Sequence, residues 1–127
     1  MRRNRERRRH VRYDLQVGAR LTTLDPEVEQ WTSTQVFDSI DARCLNLSCS
    51  GALVVGPSTL GPGRRVLVEV PLEDGTEVEA VGDIVWSELT GYGGGGEALT
   101  TVGISFSDRI PRTAMNRARA TARARVA

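Results

Sequence analysis

The sequence predicts an all-β fold: a six-stranded antiparallel β-barrel with a C-terminal α-helix and a flexible Arg-rich N-terminal arm. Three observations predict it. Several short segments alternate apolar and polar residues with a period of two. Clusters of Gly, Pro and Asp separate these segments. From residue 108 onward the composition changes to Ala and Arg, which are strong helix formers. Closure into a barrel is favoured because it leaves no unpaired sheet edge.

The length of 127 residues suits one folded domain, and we divide it into an arm at 1–12 and a barrel with its helix at 13–127. Apolar residues make up 39% of the chain, and six residues are aromatic, so the core must consist mainly of Val, Leu, Ile and Ala. No stretch approaches the roughly 18 apolar residues of a membrane helix. No apolar run follows the basic N-terminus, so we expect a cytoplasmic protein without membrane insertion.

The net charge of +1 conceals an asymmetry along the chain. Residues 1–12 hold seven Arg and one Glu, residues 13–116 hold six Arg and fifteen acids, and residues 117–127 hold four Arg and no acid. A nucleic-acid-binding protein would not be expected to have so acidic a body. An anionic partner is therefore expected at the two basic ends.

The first half of the barrel begins with a strand from Asp14 to about Thr23, because alternate residues in it are apolar. Residues 24–36 contain a proline and three acids and predict a loop or a short extra element with Trp31 as its apolar anchor. Residues 37–47 form the second predicted strand, and Gly51 to Val55 form the third after a tight turn.

The second half begins after a Gly- and Pro-rich loop with a strand from Arg65 to Pro71. A hairpin turn at 73–75 leads into the longest strand, 77–87. Its predicted inward face consists of Val78, Ala80, Ile84 and Trp86, so Trp86 is interpreted as a core or rim residue and not as a stacking platform for bases. A flexible loop is predicted at 91–96 and the last strand at 101–106. The helix follows, with Met115, Ala118 and Ala122 on its inner side and arginines outside.

No catalytic or metal-binding constellation is found in the sequence. Cys44 and Cys49 are two isolated cysteines, and His10 is the single histidine. These residues are too few for a zinc site or a nucleophilic triad. We therefore predict no enzyme activity, no metal and no cofactor.

Two short motifs carry binding chemistry. Arg8, Arg9 and Arg12 precede the first strand, and guanidinium groups clasp phosphates and the O6 and N7 atoms of guanine with paired hydrogen bonds. Asn46 and Ser48 end a strand before Gly51, where a glycine permits positive φ or a close approach of the backbone to a ligand. Each motif alone also has an interpretation without a ligand: the arginines fit a solvated tail, and the Asn46–Gly51 segment fits an ordinary turn.

Together the two motifs are more specific. The pattern of an RxxxR motif, then an NxSxxG motif, then a β-rich body resembles the PilZ family of bacterial cyclic di-GMP receptors. Arg8 and Arg12 match the two arginines of the first motif, with Arg9 as an additional one, and Asn46, Ser48 and Gly51 match the second motif. The segments GRRVLVEVPL, VGDIVW and TVGISF resemble successive barrel strands of that family. The resemblance implies a single-domain signalling receptor whose arm wraps the ligand against the barrel and which transmits the signal to an unidentified downstream protein.

Two alternatives to this receptor stay open: a ligand-free PilZ-like adaptor for protein interaction, and a nucleic-acid-binding module, which the acidic body disfavours. The spacing between the two motifs is longer than is usual in the family, so residues 24–36 look like an insertion. The arm carries more positive charge than one dianion requires. We therefore expect two stacked ligands per chain, with Arg7 reaching the second.

Overall fold

The computed structural model describes residues 12–25, 27–28, 35–36, 39–57 and 60–126. The predicted arm, apart from Arg12, lies outside these ranges, as does Trp31. The strands are β1 (Tyr13–Thr23), β2 (Glu27–Val28), β3 (Gln35–Val36), β4 (Ser39–Ser48), β5 (Gly51–Gly56), β6 (Arg65–Pro71), β7 (Glu77–Tyr92) and β8 (Ala98–Phe106), and the helix is α1 (Arg112–Val126).

Six of these strands close into an antiparallel barrel in the order β1-β4-β5-β8-β7-β6. The ring closes because β1 pairs with β4 on one side and with β6 on the other. This confirms the predicted fold class. Within the described residues, the two short strands β2 and β3 pair only with each other, so the predicted insertion contains a small ribbon.

The interior of the barrel is aliphatic, as the composition predicted. Leu15, Leu47, Val54 and Ile84 are almost completely buried at its centre. Cys44 is buried among them, and this burial raises the pKa of its thiol to about 12, so the thiol stays protonated and unreactive. Both cysteines are free, as expected.

Helix α1 is attached to the barrel near both of its ends. The Ile110 N–H, just before the helix, donates to the Cys49 carbonyl at 2.8 Å, and the Thr121 hydroxyl accepts from the Glu73 N–H at 2.9 Å. Ala114 and Ala118 are buried against the core, and the predicted Met115 and Ala122 pack beside them. In the part of the chain that the structure describes, no helix has the length and apolarity that crossing a bilayer requires.

The hairpin of β7 and β8 is longer than predicted. Strand β7 continues to Tyr92 and β8 begins at Ala98, so the predicted loop at 91–96 shrinks to a tight turn. The Gly93 N–H closes this turn on the Glu97 carbonyl at 2.8 Å. Because this end of the hairpin extends past the barrel, the side chains of Leu89 and Tyr92 are exposed.

The predicted inward position of Trp86 is wrong. The β7–β8 register shifts between Ile84 and Trp86, which leaves Val85 as an extra residue, a β-bulge. Ile84 points into the core, but Val85 and Trp86 both lie exposed on the outer wall, with 42% of Trp86 accessible. The bulge breaks the period-two pattern on which the prediction depended.

Candidate functional site

A shallow groove of about 240 Å³ crosses the outer wall of the barrel. It extends from the start of β1, over the β4–β5 turn and β8, to the bulge of β7. Its walls are formed by Arg12, Asn46, Ser48, Ser50, Gly51, Ala52, Leu53, Val85, Trp86, Gly103, Ile104 and Ser105. The four predicted site residues that the structure describes, Arg12, Asn46, Ser48 and Gly51, therefore lie together. Arg7, Arg8 and Arg9 lie outside the described residues.

Asn46 reaches the groove because of a second β-bulge. The β4–β5 register shifts between Cys44 and Asn46, so Leu45 is an extra residue. Cys44 and Leu47 both point into the core. Strict alternation from Cys44 would direct Asn46 inward as well, whereas the bulge directs it to the outer wall. The backbone stays anchored there, since the Asn46 carbonyl accepts from the Cys44 thiol at 3.3 Å.

Ser48 is engaged inside the turn that joins β4 to β5. Its side chain is almost fully buried. The hydroxyl oxygen accepts from the Ser50 N–H at 3.3 Å and lies 3.3 Å from the Ser50 hydroxyl and 3.4 Å from the Gly51 carbonyl. These contacts hold the shape of the turn, as serine commonly does. The side chain also lines the groove, so a ligand contact stays a prediction.

Gly51 is needed where β5 approaches β8. A Cβ atom at this position would collide with the carbonyl oxygen of Ile104. The φ angle of Gly51 is not positive. Positive φ, one of the two predicted reasons for this glycine, is therefore wrong. The close approach that the structure shows is to the barrel's own β8 backbone, and a close approach to a ligand stays a prediction.

Trp86 lies flat on the outer wall above its cross-strand partner, Gly103. A Cβ atom on Gly103 would occupy the space of the indole ring. The absence of that atom lets the ring lie against the sheet and form one wall of the groove. Neither residue was predicted as a site residue: Trp86 was interpreted as a core or rim residue, and Gly103 was not singled out. The segments VGDIVW and TVGISF were the signal that contained them.

The electrostatics of the groove favour an anion. Among the described residues that line it, Arg12 is the single titratable side chain, and no carboxylate faces inward. The indole of Trp86 adds a flat aromatic surface, and the serines and Asn46 add hydrogen-bonding groups. The groove can therefore accept a ligand that combines a planar ring with negative charge.

A cluster of three glutamates lies elsewhere on the outer wall of the barrel. Oxygen atoms of Glu69, Glu77 and Glu79 lie within 4.8 Å of one another. Partial desolvation, and then the hydrogen bond and repulsion from Glu69, raise the pKa of Glu77. Such a cluster could hold a divalent cation, but exposed acids at this spacing are common without a metal, so the cluster is not evidence for one.

The fold is that of a small β-barrel domain with a groove on its outer wall. The family model of the PilZ domain matches residues 6–122, and the chain therefore belongs to the PilZ family. Members of this family typically bind cyclic di-GMP and act as receptors or adaptors. No curated protein matches the chain.

Two solved structures are similar in fold. The Bacillus subtilis inhibitor of motility (MotI/DgrA) is 16% identical with a TM-score of 0.59, and the match covers 94% of this chain and 52% of that one. The present chain thus spans about half the length of that protein. The PilZ domain of YcgR from Escherichia coli, solved with c-di-GMP, is 19% identical with a TM-score of 0.48, over 93% of this chain and 88% of that one.

Proposed function

We propose that this protein is a cyclic di-GMP receptor without catalytic activity. The observation that carries the proposal is the convergence of Arg12, Asn46, Ser48 and Gly51 on one groove. These residues come from the start of β1 and from the β4–β5 turn, far apart in sequence, and they are four of the five residues that match the family's two motifs; the fifth is Arg8.

Each part of the ligand finds complementary chemistry in this arrangement. The phosphates and the guanine O6 and N7 atoms suit the guanidinium groups of Arg8, Arg9 and Arg12. The Asn46 amide offers an acceptor to the N–H groups of a guanine edge. The exposed face of Trp86 suits stacking on a purine.

The groove alone is too small to enclose such a ligand. Pockets that bury drug-sized molecules have volumes of roughly 300–1,000 Å³, whereas this groove has about 240 Å³. The arm, which joins β1 at Arg12, supplies the remaining cover when it folds over the ligand. The ligand thereby changes the surface near the arm, and a downstream protein reads that change. Since cyclic di-GMP is an intracellular messenger, we expect the protein in the cytoplasm.

Calorimetric titration with cyclic di-GMP tests the proposal. Arg8→Ala and Arg12→Ala should each weaken binding by about 1–3 kcal/mol, as for a lost bidentate contact, with an unchanged melting temperature. Arg20→Ala is the matched control, because Arg20 lies on the barrel wall, where it pairs with Asp41. Wild-type affinity in both motif variants would overturn the assignment of the site.

The same titration separates the two alternatives. A ligand-free adaptor shows no heat with cyclic di-GMP at any salt concentration. A nucleic-acid-binding module binds DNA more tightly than the dinucleotide, and its affinity falls by orders of magnitude between about 50 and 200 mM salt because counterions are released. A receptor shows the reverse ranking and a much smaller dependence on salt.

A further inference from the structure

The exposed face of α1 carries charge of one sign. Arg112, Asn116, Arg119 and Arg123 are spaced i, i+4, i+7 and i+11 and therefore form one row along the helix. All four are exposed, and the sequence 112–126 contains no acid. Among the described residues, no carboxylate lies within ion-pair distance of the three arginines.

The row borders a shallow trough of about 470 Å³, in which Asn116 and Ala120 lie between the arginines. The short side chain of Ala120 lets another backbone approach closely, and the Asn116 amide can donate and accept hydrogen bonds. No large apolar side chain lines the trough. Insertion of this face into a bilayer is therefore disfavoured, because such insertion requires a strip of buried apolar side chains.

One flank of the row is acidic, where Glu73 and Asp74 line a second shallow pocket together with Asn116, Arg117, Ala120 and Thr121. The Glu73–Asp74 turn lies beside the helix, where the Glu73 N–H donates to Thr121. A broad polyanion such as a membrane surface or a DNA duplex would contact these acids together with the arginines and be repelled. A narrow acidic partner that follows the arginines contacts these acids less than a broad polyanion does.

We propose that this face of α1 is a docking site for an acidic α-helical segment of a partner protein. Charge complementarity favours this partner. Carboxylates at matching i, i+4, i+7 and i+11 positions of the partner would meet the arginine row, and arginine forms bidentate hydrogen bonds with carboxylates. Docking at this face does not depend on cyclic di-GMP, so the proposal goes beyond the receptor function.

The test uses the full chain and a fluorescent alanine-based peptide of about 20 residues, long enough to form a helix, with glutamates at i, i+4, i+7 and i+11. A peptide of the same composition with scrambled glutamates is the control. Fluorescence anisotropy at low salt should show binding of the patterned peptide and at least about tenfold weaker binding of the scrambled one. Salt should weaken the binding of the patterned peptide.

Variants locate the contact. The double variant Arg119→Glu, Arg123→Glu should lose at least about tenfold in affinity for the patterned peptide. Its charge-neutral counterpart, Arg119→Gln, Arg123→Gln, should lose less, and circular dichroism checks that both keep the helix. Arg20→Glu on the barrel wall should bind as wild type does. The double variant Arg8→Ala, Arg12→Ala should also bind normally, which separates this site from the cyclic di-GMP site.

The proposal is overturned if the scrambled peptide binds equally well, or if folded Arg119 and Arg123 variants keep wild-type affinity for the patterned peptide. It is also overturned if duplex DNA or vesicles of anionic phospholipid bind more tightly than the peptide in a manner that depends on Arg119 and Arg123. If the wild-type protein binds the patterned peptide but not cyclic di-GMP, the proposed receptor function is contradicted and the docking proposal is not.

Discussion

The indole ring of Trp86 occupies the space that a side chain on Gly103 would need, on the neighbouring strand of the barrel wall. The glycine thus determines how flat the tryptophan lies and what the groove presents to a ligand. Because an exposed aromatic side chain can tilt away, a methyl group at position 103 should alter the groove without unfolding the barrel.

Gly103→Ala should therefore change the surroundings of Trp86 and weaken cyclic di-GMP binding by about tenfold, part of the roughly 1–3 kcal/mol that stacking of a base on an aromatic ring contributes. The Trp31→Phe background leaves Trp86 as the single tryptophan, since the chain has two tryptophans, and its emission is excited selectively at wavelengths that tyrosine does not absorb. Gly91→Ala is the matched control, because a Cβ there meets open space. Unaltered emission and affinity in Gly103→Ala would refute the role of Trp86.

Gly51→Ala should act mainly on folding. Its Cβ would meet the Ile104 carbonyl oxygen, which belongs to barrel backbone and cannot move aside. We expect a loss of about 1–3 kcal/mol in the free energy of unfolding, as for other overpacked sites, measured by urea denaturation. Ser48→Ala should cost about 1 kcal/mol through its lost turn hydrogen bonds. Gly61→Ala is the control, because nothing lies near its Cβ. A Gly51→Ala protein as stable as that control would contradict this explanation.

The ligand stoichiometry tests whether the extra arginines of the arm bind a second ligand. We predict two stacked cyclic di-GMP molecules per chain at saturation, since the arm holds seven arginines and a single dinucleotide carries two negative charges. Calorimetry should give a ratio near two for the wild type and near one for Arg7→Ala. A ratio near one in both proteins would show that the extra arginines bind no second ligand.

Glu77→Gln should stabilise the protein more at neutral than at acidic pH. The folded state raises the pKa of Glu77, first by desolvation and then through Glu69, so the folded protein holds this proton more tightly than the unfolded chain. The stability that the protonated form provides is present below the unfolded pKa and is lost as pH rises through the folded pKa.

The measurement is the difference in melting temperature between Glu77→Gln and wild type at pH 4 and pH 7, with a larger gain expected at pH 7. Hydrogen bonds from Arg64 and Thr76 lower the pKa values of Asp25 and Asp74 respectively. Both proteins contain these two acids, so their contributions to the pH dependence of stability cancel in the difference. Glu88→Gln, on β7 outside the cluster, is the control for loss of charge. An equal gain at both pH values would argue against the coupling to Glu69.

Most of the strands could be predicted because local pattern determines them. Leu15, Ala19 and Leu21 alternate with polar residues and are all buried in β1, as period-two patterning requires. The turn at 73–75 was predicted correctly because the glycine at position 75 adopts positive φ. The ends of β7 and β8 were not, because the glycines at 91 and 93–96 favour a loop, whereas pairing with Leu99 and Ala98 makes Gly91 and Tyr92 part of the strand.

The sequence by itself determined the fold class, the core and the two motifs, because these depend on residue type and short-range periodicity. Only the tertiary structure decided which way Asn46 and Trp86 point. Each follows a bulge residue, Leu45 or Val85, that directs it to the outer wall. A bulge depends on which residue of the neighbouring strand lies opposite. That partner, such as Gly103 for Trp86, is fixed by how the two strands pair and not by the residues next to the bulge in sequence.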